Sequence, residues 1–154
     1  MRKVVIAGAG MTRFTGKQPR TAMELFGEAA MEAINESGIR PRQVQALFMG
    51  NYLGDFEEGQ AQLQAFTADY LGLAGIPANR YENACASASA AIRDAFIWVA
   101  SGQYDIVLAG GAECATKMGT PLATRTFAMS SDSRYEYAAG VDRKSTRLNS
   151  SHRL

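Results

Sequence analysis

The chain has 154 residues, of which 47% are hydrophobic and 20% are charged, and its formal net charge is +1. This composition predicts a globular protein of one domain, or part of one, and gives no sign of nucleic-acid binding. Two cysteines provide no disulfide framework, and the apolar run at residues 4–10 is too short for a secretion signal or a membrane span, so a cytoplasmic location is expected.

The first half of the chain predicts strands and helices in alternation. Residues 3–8 form a short, β-branched, continuously apolar run, which is typical of a buried parallel strand. Thr21 and Glu24 form a capping-box pattern, and Gly38 ends the helix that this pattern opens. After a break at Pro41, residues 45–50 predict a second strand.

The alternation continues to residue 109. The predicted elements are a loop at 51–59, a helix at 60–71, a strand at 80–83, a helix at 84–101 and a strand at 104–109. Residues 112–141 are irregular apart from a turn at 119–121. This order of elements predicts an α/β fold with a layered sheet.

Cys85 is the strongest candidate for a catalytic residue. It lies where a predicted strand gives way to a helix whose only charged residues are Arg93 and Asp94, so that helix is expected to be buried on nearly every side. Unpaired N–H groups and the helix dipole favour a thiolate in the first turn, and small neighbours leave room for a substrate. The alternative is a buried cysteine that merely fills space, and position alone does not decide between the two.

Other chemistries fit the sequence poorly. Gly8 and Gly10 follow the first predicted strand, but Arg13 stands where a dinucleotide-binding turn needs glycine. The sequence has no P-loop and no spacing typical of a metal site, so no metal is expected. The only histidine is His152, near the end of the chain.

The last thirteen residues, 142–154, differ from the rest. They are polar, lack periodicity and hold four of the sixteen basic residues. Residues 142–152 can be encoded by a widely used sequencing adaptor read in frame. We therefore divide the chain into a domain at 1–141 and a tail at 142–154 that we expect not to be native. The term full-length protein is used below for residues 1–141 together with the native residues that the gene is expected to encode after Val141.

Four segments of the chain, taken together, resemble the thiolase superfamily. They are residues 8–14, 46–51, 82–87 and 104–113, and the third, which contains Cys85, is the most specific. The resemblance extends over residues 3–141, within the branch that includes the sterol-carrier-protein thiolases and the archaeal acetyl-CoA acetyltransferases. It implies a truncated N-terminal half of a layered αβαβα fold, with a mostly parallel mixed sheet around a buried helix that begins at Cys85.

The resemblance also implies a function. Cys85 corresponds to the nucleophile that accepts the acyl group in an acyl-CoA acyltransferase, which runs a Claisen condensation or its thiolytic reverse. Coenzyme A thioesters are then the substrates, no cofactor is bound, and the full-length protein is a homodimer or homotetramer. The catalytic histidines and a second cysteine belong to a C-terminal half, so the chain alone is expected to be inactive.

Three residues need a separate interpretation. Ala88 stands where relatives usually carry glycine, and Cys114 stands where many carry lysine. We interpret Cys114 as structural, and we expect Glu113 to make buried hydrogen bonds that fix a loop. Two alternatives to a thiolase stay open: a ketoacyl synthase or hydroxymethylglutaryl-CoA synthase relative, and a scaffold subunit without catalysis.

Overall fold

The structure, a computed structural model, describes residues 2–16 and 18–136. Its helices and strands are α1 (Ala22–Ser37), β1 (Ala46–Gly50), α2 (Gly54–Glu57), α3 (Leu63–Tyr70), β2 (Ala78–Tyr81), α4 (Ser87–Ser101), β3 (Val107–Gly111) and α5 (Thr120–Ala128). Short 3-10 turns cover Pro41–Gln43, Ala84–Ala86 and Ala115–Lys117. The predicted boundary at Val141 and the predicted tail at 142–154 lie outside the described residues. Within those described ranges, no helix is both long enough and apolar enough to cross a membrane.

The three strands form one parallel sheet in the order β2-β1-β3. In the central strand β1, Leu47 lies opposite Ala78 of β2 and Leu108 of β3. All five residues of β1 are buried, as expected of a parallel strand that is covered on both faces. The predicted α/β class is therefore confirmed.

Alternate residues of β1 face two helical layers. Leu47 and Met49 pack in the larger core, which contains buried side chains of α1 and α3. Phe48 packs on the opposite face, with Ala91 of α4. The alternation follows from the strand geometry, in which successive side chains point to opposite faces. The described residues thus form three layers, with α1 and α3 on one side of the sheet and α4 on the other.

Helix α1 begins and ends as the sequence predicts. The Thr21 hydroxyl accepts a hydrogen bond from the Glu24 backbone N–H at 3.1 Å, and the Glu24 carboxylate accepts one from the Thr21 N–H at 2.7 Å. The Thr21 N–H and the Thr21 hydroxyl both donate to the Glu24 carboxylate and stabilise its ionised form, so they lower the pKa of Glu24. Gly38 ends the helix with a φ of 69°, a left-handed conformation that glycine adopts without a Cβ clash.

The prediction of a strand at residues 3–8 is wrong. Within the described part of the chain this segment pairs with no strand, and Val5 and Ile6 are 70% and 86% exposed. The chain that follows it lies along α1 instead: the N–H groups of Ala9 and Met11 donate to glutamates of that helix, at 2.6 and 3.0 Å. A β-branched run becomes a strand only where a neighbouring strand takes its hydrogen bonds, and here side chains of a helix take those of the adjoining residues.

The boundaries of three other elements differ from the prediction. Helix α3 begins at Leu63 rather than at residue 60, both later strands are displaced by two or more residues, and the short helix α2 lies within the predicted loop. Helix α5 lies in the region predicted to be irregular, and its first turn contains Pro121. Proline has no N–H to lose at the start of a helix, so the predicted turn at residues 119–121 is in fact a helix start.

Helix α4 is covered on one side only among the described residues, so the predicted burial on nearly every side is not met within this half of the fold. Its buried residues are Ser87, Ala91 and Ala100, and Ala91 packs against Ala46 and Phe48 of β1. Four large apolar side chains of the helix are 41–52% exposed: Ile92, Phe96, Ile97 and Trp98. The described residues provide one covering layer for this helix, whereas its composition calls for more than one.

Candidate active site

The carboxyl ends of the three parallel strands meet at one edge of the sheet, and the start of α4 is packed against that edge. A Cβ at Gly50 would lie only 2.3 Å from the backbone nitrogen of Ala88, and a Cβ at Gly111 only 2.8 Å from the Ala88 Cβ. Glycine at both positions is therefore a condition for this close approach. The methyl group that distinguishes Ala88 from the usual glycine lies against Gly111.

This contact gives a first testable prediction, Gly50→Ala in the full-length protein. The new methyl group meets backbone rather than a movable side chain, so α4 must shift away from β1. We expect the free energy of unfolding to fall by about 3 kcal/mol, measured by denaturant titration. The control is Gly16→Ala, where a Cβ meets nothing within 4 Å and little change is expected. Equal effects of the two variants would contradict the account.

Cys85 lies just before α4, in the 3-10 turn Ala84–Ala86, and it is exposed. The expectation that the helix begins at Cys85 is therefore corrected by two residues, because residues 84–86 form a 3-10 turn and Ala86, with a φ of −101° and a ψ of 11°, is the N-cap of the α-helix. Ser87 holds this turn on one side: its hydroxyl accepts from the Asn83 N–H at 2.9 Å and donates to the Ala84 carbonyl at 2.7 Å. The thiol is thus presented to solvent by a turn with a defined shape.

The second cysteine, Cys114, has the opposite environment. It is 2% exposed, its thiol donates to the Arg20 carbonyl at 3.1 Å, and burial raises its pKa. These contacts agree with the interpretation of Cys114 as structural.

The contrast between the two cysteines predicts selective alkylation. In the folded full-length protein at neutral pH, iodoacetamide is expected to label Cys85 at least about tenfold faster than Cys114, because only an accessible thiolate reacts. Mass spectrometry of the two peptides over time gives both rates. Unfolding in denaturant is the control and is expected to bring the rates together. Equal rates in the folded protein would contradict the description of Cys85 as the accessible thiol.

Glu113 joins the two loops at this edge of the sheet. Its carboxylate accepts hydrogen bonds from the backbone N–H groups of Tyr52 and Leu53, the latter at 3.1 Å, and from the Asn51 side chain at 3.2 Å. The predicted role of Glu113 in fixing a loop is confirmed, although the residue is exposed to solvent rather than buried. Burial of the carboxyl group beneath the loop nevertheless raises its pKa.

An open cleft of about 450 Å³ lies beside this loop. It is lined by Tyr52, Asp55, Phe56, Arg80, Glu82 and Met129. Arg80 binds Asp55 at 2.9 Å and donates to the Asn51 carbonyl at 3.2 Å, so its charge is already paired. The cleft ends near the candidate nucleophile, because Glu82 precedes Cys85 by three residues and accepts a hydrogen bond from the Ala84 N–H at 2.7 Å.

Nothing in the sequence singles out Glu57, which lies at the end of α2. It is 9% exposed, and burial together with the neighbouring Glu113 raises its pKa to about 8. A glutamate in a predicted polar loop is ordinarily solvated, and only the fold brings it under the loop that follows β3. Among residues 2–16 and 18–136, no group of three or more His, Cys, Asp or Glu side chains could hold a metal.

Comparison with known proteins gives the family. Residues 4–147 match the model of the thiolase N-terminal domain, a range that ends six residues beyond the predicted boundary at Val141. The chain is 39% identical to the acetyl-CoA acetyltransferase of Methanocaldococcus jannaschii over 139 residues, covering 90% of this chain and 34% of that protein. It is 33% identical to sterol carrier protein 2 of Gallus gallus over 114 residues, covering 73% of this chain and 20% of that protein.

The fold also has a counterpart among solved structures. A 3-oxoacyl-[acyl-carrier-protein] synthase III from Aquifex aeolicus aligns with a TM-score of 0.51 and 18% identity, covering 56% of this chain and 28% of that one. At this identity the similarity concerns the fold alone. The chain spans about a third of the length of the acetyl-CoA acetyltransferase and a fifth of sterol carrier protein 2.

Proposed function

Because this chain belongs to the thiolase family, whose N-terminal domain it matches over nearly its whole length, we propose that the full-length protein is an acyl-CoA acyltransferase of the thiolase type with Cys85 as its nucleophile. The observation that carries the proposal is the position of Cys85. It is an exposed thiol at the carboxyl edge of a parallel sheet, where ligands bind in open α/β sheets. Cys114 is buried and offers no alternative nucleophile.

The chemistry follows in two transfers. The Cys85 thiolate attacks the carbonyl carbon of an acyl-CoA, the C–S bond to coenzyme A breaks, and the released coenzyme A sulfur takes up a proton. The α-carbon of a second acyl-CoA, after losing a proton to a base, then attacks the acyl-enzyme. A carbon–carbon bond forms and Cys85 leaves as a thiolate. In the reverse direction coenzyme A cleaves a 3-oxoacyl-CoA.

The described residues supply only part of this machinery. They hold the thiol and the cleft beside it, whereas no histidine that could serve as the base lies among them. The sequence has one histidine, His152, which lies outside the described residues. We therefore place the missing groups in a C-terminal half, with coenzyme A thioesters as substrates, no bound cofactor, and a cytoplasmic homodimer or homotetramer as the working form.

Two observations test the proposal. The first is the genomic sequence downstream of the Val141 codon, which is expected to encode a Gly-His-Pro segment and a later cysteine. The second is mass spectrometry of the full-length protein after incubation with acetyl-CoA, which is expected to find an acetyl group on the peptide that contains Cys85. A full-length gene without these residues, and a protein that gains no acetyl group, would point to a scaffold subunit instead.

A further inference from the structure

Two carboxyl groups from different elements meet beneath the loop at the carboxyl edge of the sheet. Glu57 comes from α2, which follows β1, and Glu113 comes from the segment that follows β3. Both are held by the same loops: Glu57 accepts a hydrogen bond from the N–H of Cys114, the residue after Glu113, and Glu113 accepts one from the N–H of Leu53, whose carbonyl in turn accepts from the Glu57 N–H at 2.8 Å. Two ionised carboxylates in such a position repel one another, and neither has a hydrogen to donate to the other.

The contacts of Glu57 identify the carboxyl that carries the hydrogen. Its Oε2 accepts from the Cys114 backbone N–H at 2.7 Å, but its Oε1 is buried and finds no N–H or O–H donor among residues 2–16 and 18–136. An ionised carboxylate with one oxygen buried and unpaired is costly. A hydrogen on Glu57 removes that cost and supplies the donor for Glu113.

The contacts of Glu113 fit the ionised partner. Its two oxygens accept from Tyr52, Leu53 and Asn51, and the residue is exposed to solvent on one side. These donors stabilise a negative charge on Glu113 and oppose the burial that raises its pKa, whereas Glu57 accepts from one backbone N–H and has a buried oxygen without a donor among the described residues.

We propose that Glu57 and Glu113 share one proton, and that this carboxyl–carboxylate pair is a clamp that positions the cleft wall formed by Tyr52, Asp55 and Phe56. The clamp reaches that wall through the N–H groups of Tyr52 and Leu53, which Glu113 binds, and through α2, which carries Asp55 and Glu57. Glu57 and Glu113 are positioning residues, and the proposal does not depend on the role of Cys85.

Several charged groups surround the pair, and each element packed around it contributes. They are Asp55 and Glu58 on the loop after β1, Arg80 on β2, Cys114 and Lys117 after β3, and Arg20 and Glu24 at the start of α1. Four of these charges are paired locally, since Arg80 binds Asp55, and Lys117 binds Glu58 at 2.6 Å. Glu113 is thus the main charge that opposes ionisation of Glu57.

The clamp has a defined pH dependence. The pKa of Glu57 is raised to about 8 in the folded protein from an ordinary value of 4.5, so the folded state holds a proton that the unfolded chain releases. The stabilisation is complete below about pH 4.5 and is lost as the pH rises through about 8. Above that pH two negative charges face each other and the proton has left to solvent, so the loop is expected to open.

Amide hydrogen exchange in the full-length protein tests the clamp. Between about pH 7 and about pH 9, the protection factors of the Tyr52 and Leu53 amides are expected to fall about tenfold in the wild type. In Glu57→Gln they are expected to stay within about twofold, because glutamine keeps a donor toward Glu113 and does not ionise. The matched control is Cys114→Ser, which keeps the backbone N–H that Glu57 binds and is expected to retain the wild-type fall.

Infrared spectroscopy of the wild type gives a second measurement that needs no variant. The carbonyl band of a protonated carboxylic acid is expected at neutral pH and is expected to disappear as the pH rises past about 8, the raised pKa of Glu57. The absence of this band, or an equal loss of protection in the wild type and in Glu57→Gln, would overturn the proposal. Neither measurement uses turnover, so both outcomes are separate from the test of Cys85.

Discussion

Replacing Cys85 with alanine in the full-length protein is expected to lower the rate of acyl transfer by at least about a thousandfold. The reason is that the covalent acyl-enzyme cannot form without the thiol, and the other described cysteine is 2% exposed. Because Cys85 is exposed and lies outside α4, the substitution removes no buried packing and the melting temperature is expected to stay within a few degrees of the wild type. Thiolysis of acetoacetyl-CoA and trapping of the acetyl-enzyme by mass spectrometry measure the effect.

Cys114→Ser is the matched control for this variant. Serine keeps a donor for the Arg20 carbonyl, so the fold and the acyl transfer are expected to persist at close to the wild-type rate. If Cys85→Ala kept its turnover, or if Cys114→Ser lost it while remaining folded, the assignment of the nucleophile would be wrong. A stable protein in which neither variant changes anything would support the scaffold alternative.

The sequence predicted the elements whose signals are local. The capping box at Thr21 and Glu24 and the terminating Gly38 fix helix α1 through contacts within a few residues, and the structure contains all of them. Strand β1 was equally predictable, because a continuous apolar run bounded by turns fits a strand covered on both faces. The candidate nucleophile was found in the same way, from the small residues around Cys85 and the apolar helix after it.

The features that sequence reasoning missed depend on distant partners. Residues 3–8 have the composition of a strand, but none of the strands described in the structure takes their hydrogen bonds. Glu57 looks like an ordinary loop residue until the fold places it beside Glu113, 56 positions later in the chain. Burial and pairing of this kind arise from tertiary contacts, which no pattern within a few residues encodes.

Residues 1–141 expressed alone are expected to lose stability and solubility, because large apolar side chains of α4 are exposed. Four apolar side chains of this helix are each about half exposed: Ile92, Phe96, Ile97 and Trp98. The fragment therefore lacks roughly 3–6 kcal/mol of hydrophobic stabilisation that full burial of these side chains would provide. That amount is comparable to the entire stability of a small domain, roughly 5–15 kcal/mol. The fragment is therefore expected to aggregate, to lack a cooperative melting transition and to show no thiolysis, since it contains no histidine.

A pair of polar substitutions on the exposed side of α4 separates this explanation from a general folding defect. In the fragment, Ile92→Gln with Phe96→Gln is expected to raise the soluble fraction severalfold, because it removes apolar surface that lacks a partner. In the full-length protein the same two substitutions are expected to lower the free energy of unfolding by about 2–5 kcal/mol, because a second half that covers this side of α4 would bury both side chains. Solubility and thermal unfolding of the four proteins give the comparison. A soluble wild-type fragment with a sharp melting transition would refute the folding argument. If the two substitutions left the stability of the full-length protein unchanged, this side of α4 would be shown to stay uncovered.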